Sequence, residues 1–269
     1  MIRVITYEDR CNPKFNLAVD EAIFIAHYLG VINDSTLRFW RNINSVVLGY
    51  FSRLEEEVNE DYLRVINPII VRRFTGGGSV YHDLGNLNYT VVTKLPKNSK
   101  PLDFIYGYLL KGITHTLNDL GLNTEVVNLS DVLVEGRKVS GNAATFKDGY
   151  ALLHGTLLIT TKPEVISNLF LIPWNKVRKY NIDIRKYLVT NLEKILKNSI
   201  NEVMVRSLIA KNYSYILKDP RIVYSTLSSE EMELANVLYN VKYSKDSWNL
   251  RRSYDRSLLT KLIKVILRK

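Results

Sequence analysis

The sequence predicts an α+β fold, with mixed and antiparallel β-sheets flanked by helices, and three observations carry that expectation. Strand-like and helix-like segments come in blocks instead of strict alternation. Residues 124–160 form a β-rich stretch broken at Glu135-Gly136 and at Lys147-Asp148-Gly149, the pattern of an antiparallel meander. The 269 residues, 46% hydrophobic and 24% charged, have the composition of a folded chain with a sizeable core.

Taken in order, the first strong element is a helix over residues 12–28. Asn12 can cap it, Pro13 suits its first turn, and Leu17, Ala18, Ile23 and Phe24 supply an apolar side. Gly30 stops it. Short β-type runs follow at 36–40, 45–48, 69–73 and 88–93, joined by polar connectors and by the glycine cluster Gly76 to Gly78. Over residues 102–120, Ile105, Leu109, Ile113, Leu117 and Leu120 recur every three or four positions, so an amphipathic helix should lie on the sheet and end at Gly121. Beyond the meander, helices are expected near 163–170, 190–196 and 202–215, and then a mixed segment to Trp248. From Ser257 onward, Leu258, Leu259, Leu262, Ile263, Ile266 and Leu267 fall on one helical side and Lys261, Lys264 and Arg268 elsewhere, a basic amphipathic helix. Two roles suit it: docking on its own domain, or docking on an accessory subunit or acidic acceptor domain.

Charge and composition exclude several function classes. The net charge is +10, from 37 basic and 27 acidic residues. Residues 241–269 hold nine of the basic residues against Asp246 and Asp255, so the basicity belongs to the tail and gives no reason to expect a nucleic-acid partner. No apolar run reaches the length of a membrane span and MIRVITYEDR lacks the features of a signal peptide, so a cytoplasmic protein with no membrane partner is expected. The single Cys11 excludes an intrachain disulfide, a CxxC pair and a cysteine zinc cage. His27, His82, His115 and His154 have no metal-type spacing, so metal ligands cannot be named, and no serine sits in a GxSxG elbow.

Two stretches carry chemistry. In VRRFTGGGSVYHDLGNLNYTVV, two arginines leave a strand and run into three glycines. Consecutive glycines are entropically expensive, so grouping them points to a backbone that approaches something closely or adopts positive φ. Successive N–H groups in such a turn can cradle an anion, with Arg72 or Arg73 as a forked donor beside them; a plain hairpin turn is the alternative. In EGRKVSGNAA, Lys138 stands on a predicted strand before Ser140-Gly141, where a fixed ammonium can stabilise developing negative charge, or be an ordinary exposed strand lysine. His82, Asp83 and Asn86, just after the glycines, and His154, before Gly155-Thr156, are further candidates, each a site residue or a structural hydrogen-bonding group.

Six segments in order, NPKFNLAVDEAIF, LRFWRNINSVVLGY, RRFTGGGSVYHDLGNLNY, NLSDVLVEGRKVSGNAA, LLHGTLLIT and YLVTNLEKIL, resemble the lipoate-protein ligase family of the biotin/lipoate ligase superfamily. The likeness runs from about Asn12 to Trp248. It implies a biotin/lipoate ligase-like catalytic domain over residues 1–250, with a basic amphipathic helix at 251–269. It also implies two half-reactions. ATP and lipoate give lipoyl-adenylate and pyrophosphate, with magnesium accompanying the nucleotide, and the acyl group then passes to a lysine of a lipoyl-acceptor protein, either a lipoyl domain or an H-protein-like carrier.

By motif, the resemblance makes Lys138 catalytic and sets Arg73, Gly76, Gly77, Gly78, Ser79, Val80 and Tyr81 beside the nucleotide, with Lys138 touching both substrates and Asp131 helping to place the adenylate. Trp40, Val46 and Val47 are its candidates for the acyl tunnel. The neighbouring octanoyltransferases hold the acyl group on a cysteine, whereas residues 128–133 contain none and Cys11 precedes the first helix. An acyltransferase working without ATP and a non-catalytic ligand-binding subunit are the alternatives. Two departures, Ser52 where many members have glutamine and Leu153 where they have a first histidine, bear on the acyl pocket. Only about twenty residues follow KYSKDSWN, so the accessory function of longer members is expected from a separate small subunit.

Overall fold

The computed structural model describes residues 1–267; Arg268 and Lys269, counted above with the basic tail, lie outside the described residues. A fully buried strand, β1 (Ile2–Ile5), precedes the elements expected from sequence. Helix α1 (Pro13–Tyr28) starts as expected: the Asn12 side chain accepts from the Phe15 N–H at 3.1 Å, and Gly30 follows the end at φ +77°. Strands β2 (Ser35–Trp40) and β3 (Ser45–Leu48) come next.

The connector expected to be merely polar folds into two short helices, α2 (Leu54–Glu57) and α3 (Glu60–Ile66). Neither buries a residue fully, which is why the charged stretch gives no apolar period; Asn59 caps α3, and Asn67 ends it in the left-handed region. Strands β4 (Ile69–Arg72), β5 (Val80–His82) and β6 (Asn86–Lys94) bracket the glycines. The helix expected over 102–120 is three pieces: α4 (Pro101–Phe104), a π-helical turn at Ile105–Leu109, and α5 (Lys111–Asp119), with Gly121 at φ +80° after it.

The meander is β7 (Thr124–Val127), β8 (Asp131–Val134), β9 (Arg137–Lys147) and β10 (Tyr150–Leu158). Both tight turns put two residues at positive φ, Glu135-Gly136 at +50° and +71° and Asp148-Gly149 at +46° and +79°, matching the twist of paired strands. Then follow α6 (Pro163–Leu169), α7 (Trp174–Lys179), α8 (Leu192–Leu196), α9 (Glu202–Ile216), β11 (Ile222–Ser225), α10 (Ser229–Leu238), α11 (Asp246–Arg251) and α12 (Arg256–Ile266). The mixed segment before Trp248 thus contains β11 and α10, the latter begun by a Ser228–Glu231 capping box.

The strands form two sheets, as the expectation of mixed and antiparallel sheets requires. Eight strands lie in the order β11-β1-β2-β6-β10-β9-β8-β7, and β4-β3-β5 make a small separate sheet. β1 runs parallel to both β11 and β2, and the remainder of the large sheet is antiparallel. Alternation along the central strands sends Val91 and Leu153 to one face, beneath α5 and α9, and Val92 and Leu152 to the other, beneath α1 and α10. Helix α12 packs on α10: Leu259 and Ile266 are buried there, whereas Leu258 and Leu267 stay exposed, so the apolar stripe is narrower than the sequence suggests.

Gly112 on α5 is where α9 crosses closely: a Cβ there would lie 2.4 Å from the Tyr213 ring, itself fully buried. In an open helix Gly→Ala stabilises; here the clash should reverse the sign. Gly112→Ala is expected to destabilise by roughly 1–3 kcal/mol in urea unfolding, and a stabilised variant would show that this contact is loose.

Candidate active site

The glycine turn joins β4 to β5. Arg73, buried, grips it from beneath: Nη2 donates to the carbonyls of Gly76 at 2.5 Å and Gly78 at 2.8 Å, and Nε donates to Thr75 Oγ1 at 3.1 Å. Burial lowers its pKa to about 10, so it stays charged at neutral pH. Gly77 sits at φ +87°, and its carbonyl crosses Gly49 so closely that a Cβ on Gly49 would lie 1.9 Å from that oxygen. Ser79 is held by Glu57, whose Oε2 accepts from its N–H at 2.8 Å and its hydroxyl at 2.7 Å. Among the described residues, none accepts from the N–H groups of Gly76, Gly77 and Gly78. With the carbonyls turned to Arg73, these three donors are left for a guest anion.

Arg72 goes the other way. Its guanidinium donates to the carbonyls of Gly49 (2.7 Å), Ser52 (2.8 Å) and Asn249 (3.0 Å), and the Trp248 indole donates to its carbonyl at 2.9 Å. The side chain therefore buttresses the loop beside the glycine turn and does not line the cavity, contrary to one of the two sequence options.

Opposite the turn, β9 carries Lys138. The pairing of β8 with β9 skips from Val132–Ser140 to Leu133–Lys138, so a bulge at Val139 places Lys138 and Gly141 on one face although they are three residues apart. Gly141 makes room: a Cβ there would lie 2.7 Å from Lys138 Nζ. The ammonium is 2.5 Å from Asp131 Oδ1, and Lys186 Nζ is 3.9 Å from the other carboxylate oxygen. Burial lowers the Lys186 pKa. One carboxylate thus sits between two ammonium groups, an arrangement that attracts further negative charge.

A buried polar chain runs under the site. Asp20 on α1 receives Arg38 at 3.1 Å, the Thr90 hydroxyl at 2.6 Å and His154 Nδ1 at 2.7 Å; His154 Nε2 meets Thr75 Oγ1 at 2.6 Å. Burial alone would raise the Asp20 pKa, but the His154 hydrogen bond and the charges of His154 and Arg38 hold it below the ordinary value. His82 is also buried, its Nδ1 3.1 Å from Asn42 Nδ2 and its ring edge-on to Trp40. Asp83 accepts from Gly85 N–H and Thr161, and Asn86 donates to Asn88 at 3.0 Å; both stand behind the cavity wall.

These parts enclose one cavity of about 610 Å³. Arg73, Gly77, Gly78, Ser79, Val80 and Tyr81 line one side, and Lys138, Asp131, Gly141 and Thr156 the facing side; Gly76 lies just behind the lining. Trp40, Val47, Leu17 and Leu158 close an apolar end, and Phe51, Leu171 and Leu188 stand at the exposed rim. Val46 is corrected: it points to the opposite side of β3, among Leu48, Val58 and Leu169. Leu153 likewise faces the far core, so that departure does not touch the acyl pocket, whereas Ser52 does line the cavity and donates to the Gly77 carbonyl at 3.3 Å. Sequence reasoning missed Glu57, Thr75, Asp20 and Lys186. Asp20 carried a signal, a lone carboxylate on the buried side of an apolar helix.

His82 gives the site a pH signature. Unfolded, it takes up a proton near 6.5, but burial and the neighbouring charge of Arg73 lower the folded value to about 3. As pH falls from 7 toward 4 the unfolded state alone gains that proton, so stability drops by up to about 1.4 kcal/mol per pH unit. His82→Asn should flatten the urea-unfolding slope between pH 7 and pH 4.5, leaving a residual slope from His27, whose pKa burial also lowers. Identical slopes would mean that His82 is not held neutral.

Comparison with known proteins places this geometry in context. Residues 12–214 match the model of the lipoyl protein ligase A/B catalytic domain. Lipoate-protein ligase A subunit 1 of Thermoplasma acidophilum is 32% identical over 92% of this chain and 96% of its own length. Octanoyltransferase LipM of Brevibacillus brevis is 29% identical over 90% and 96%. Among solved structures, the bi-partite lipoate protein ligase of Thermoplasma acidophilum, described with its E2 lipoyl domain, is 30% identical with a TM-score of 0.78, covering 92% of this chain and 95% of that one. Two more, each 28% identical with a TM-score of 0.79 over 92% and 98%, are a Thermoplasma acidophilum protein with bound lipoic acid and a lipoate-protein ligase A bound with ATP. With three-quarters of its length under one family model and a glycine turn and lysine facing each other across a single cavity, the chain belongs to the lipoyl protein ligase A/B catalytic domain family.

Proposed function

We propose that this chain is an ATP-dependent lipoate ligase that makes lipoyl-adenylate and transfers the lipoyl group to a lysine of an acceptor protein. The observation that carries this reading is the shared cavity, with the unclaimed N–H groups of Gly77 and Gly78 on one side and the Lys138 ammonium on the other. In the first step a carboxylate oxygen of lipoate attacks the α-phosphorus of ATP, and pyrophosphate leaves with the bonding electron pair. On this reading Lys138 neutralises both the carboxylate and the α-phosphate, which lowers the barrier most where charge develops. Arg73, Gly76, Gly77, Gly78, Ser79, Val80 and Tyr81 shape the nucleotide side, and Asp131 fixes the ammonium. In the second step the amine of the acceptor lysine attacks the acyl carbon, AMP departs, and the amine loses a proton.

Magnesium, when bound, neutralises the leaving phosphates. The described residues hold no cluster of three His, Cys, Asp or Glu side chains, which suits an ion ligated mainly by substrate phosphates and water. Transfer without ATP through an acyl-enzyme would need a thiol in the cavity; Cys11 is exposed before α1 and does not line the cavity. The Thermoplasma relative is a subunit of a two-part ligase, which supports a separate small accessory subunit and a lipoyl-domain or H-protein-like acceptor here. No described helix is long and apolar enough to cross a membrane.

Incubation with ATP, magnesium and lipoate, with and without an accessory subunit, should yield lipoyl-adenylate by mass spectrometry and pyrophosphate dependent on lipoate. ATP-independent transfer from an octanoyl carrier, with no adenylate, would sink the reading. Lys138→Ala should fold normally and lose roughly 10²–10³-fold in adenylate formation. Gly141→Ala, whose new methyl group displaces the ammonium, should lose activity in the same direction while its melting temperature stays near that of the wild type.

A further inference from the structure

Five strands of the large sheet bring one row of residues to the cavity floor in register: Asp131 on β8, Gly141 on β9, Thr156 on β10, Asn88 on β6 and Trp40 on β2. Lys138 Nζ lies over Gly141 at one end of the row, and the Trp40 ring closes the other. Adjacent strands are spaced about 4.8 Å, so Gly141 and Asn88 are roughly 10 Å apart, the reach of an eight-carbon acid laid across the strands. Between these ends the floor is otherwise small or apolar, but Asn88 is an amide, 1% exposed, and its Nδ2 has no acceptor among the described residues. Its Oδ1 accepts from Asn86 at 3.0 Å, and in this arrangement its donor is left over.

We propose that Asn88 is a specificity-determining residue that reads the far end of the acyl chain by donating a hydrogen bond to a ring sulfur of lipoate. The inference rests on the ligase reading above and deepens it, because it states why lipoate is favoured over octanoate. A disulfide sulfur accepts weakly, whereas the terminal methyl of octanoate cannot accept at all and leaves a buried donor unsatisfied. Sites built to pair with a polar group on the substrate discriminate strongly against analogues that lack it. The Trp40 ring, edge-on to His82 and fixed through Thr90 at 3.3 Å, sets the length of the floor, and Asn88 adds chemistry to that length.

The test compares lipoate with octanoate in ATP-dependent adenylate formation by the full chain with any accessory subunit it needs, and in direct binding of each free acid by calorimetry. Wild-type protein should prefer lipoate, and Asn88→Leu should reduce the lipoate-to-octanoate ratio of kcat/KM by about tenfold, through a higher KM for lipoate and a lower one for octanoate. Asn88→Asp, which keeps the acceptor for Asn86 and loses the donor, should shift the ratio the same way and serves if Asn88→Leu fails to fold. A folded variant with an unchanged ratio overturns the proposal, as does wild-type protein that uses both acids equally; neither result touches the ligase reading. If the wild type makes adenylate from neither acid, the ligase reading falls, and the binding ratio of the free acids in wild type and variants still decides the role of Asn88.

Discussion

The apolar end of the cavity and its glycine turn both hang from one buried carboxylate. Asp20 has no exposed surface, and two hydrogen-bonded paths leave it. One passes through Thr90 to the Trp40 indole at the apolar end; the other passes through His154 and Thr75 to Arg73 and the carbonyls of the glycine turn. Along the second path His154 Nδ1 lies 2.7 Å from Asp20, its Nε2 lies 2.6 Å from the Thr75 hydroxyl, and the Thr75 oxygen accepts from Arg73. Arg38 balances the charge of Asp20 in a pocket without water contact, and a carboxylate missing there would strand a buried guanidinium at a cost of about 3–5 kcal/mol. The relative position of the apolar end and the glycine turn is thus set by a network that starts on α1, β2, β6 and β10.

Much of this was legible in the chain itself. Capping and turn chemistry marked α1 and the meander because the signals are local: Asn12 with Pro13, and two Gly-ended turns. The glycine run and Lys138 were legible for a related reason, since their cost or isolation is visible residue by residue. What escaped needed three dimensions. Helices α2 and α3 bury no residue completely, so no period announces them, and β1 is four residues whose pairing partners lie far along the chain. The division of labour between Arg72 and Arg73 was invisible for the same reason: adjacent side chains on a strand point to opposite faces, and only the positions of Asn249 and Thr75 decide which one meets the cavity. Asn88 looked like any polar residue in a strand until its register against Thr156 and Trp40 was known.

The two arginines also show how a flexible, glycine-rich segment is given one shape. Glycines supply the close approach and positive φ that the turn requires, at the expense of backbone entropy. Arg73 offsets that freedom from inside, Glu57 fixes the Ser79 end, and Arg72 stiffens the neighbouring loop whose Gly49 touches Gly77. Guanidinium groups are suited to the task because several fixed donors can bind several carbonyls at once.

The clasp on Arg72 by Trp248 and Asn249 has a consequence for the order in which the site is assembled. The cavity wall extends along the chain no further than Val189, so all of it is synthesised before α9, α10 and α11 exist, yet the outer prop of the anion loop comes from α11. A polypeptide still short of Trp248 carries every residue that lines the cavity but an unbraced loop beside it. Until α11 docks, Arg72 therefore lacks the Trp248 and Asn249 contacts that hold it against the loop beside the glycine turn.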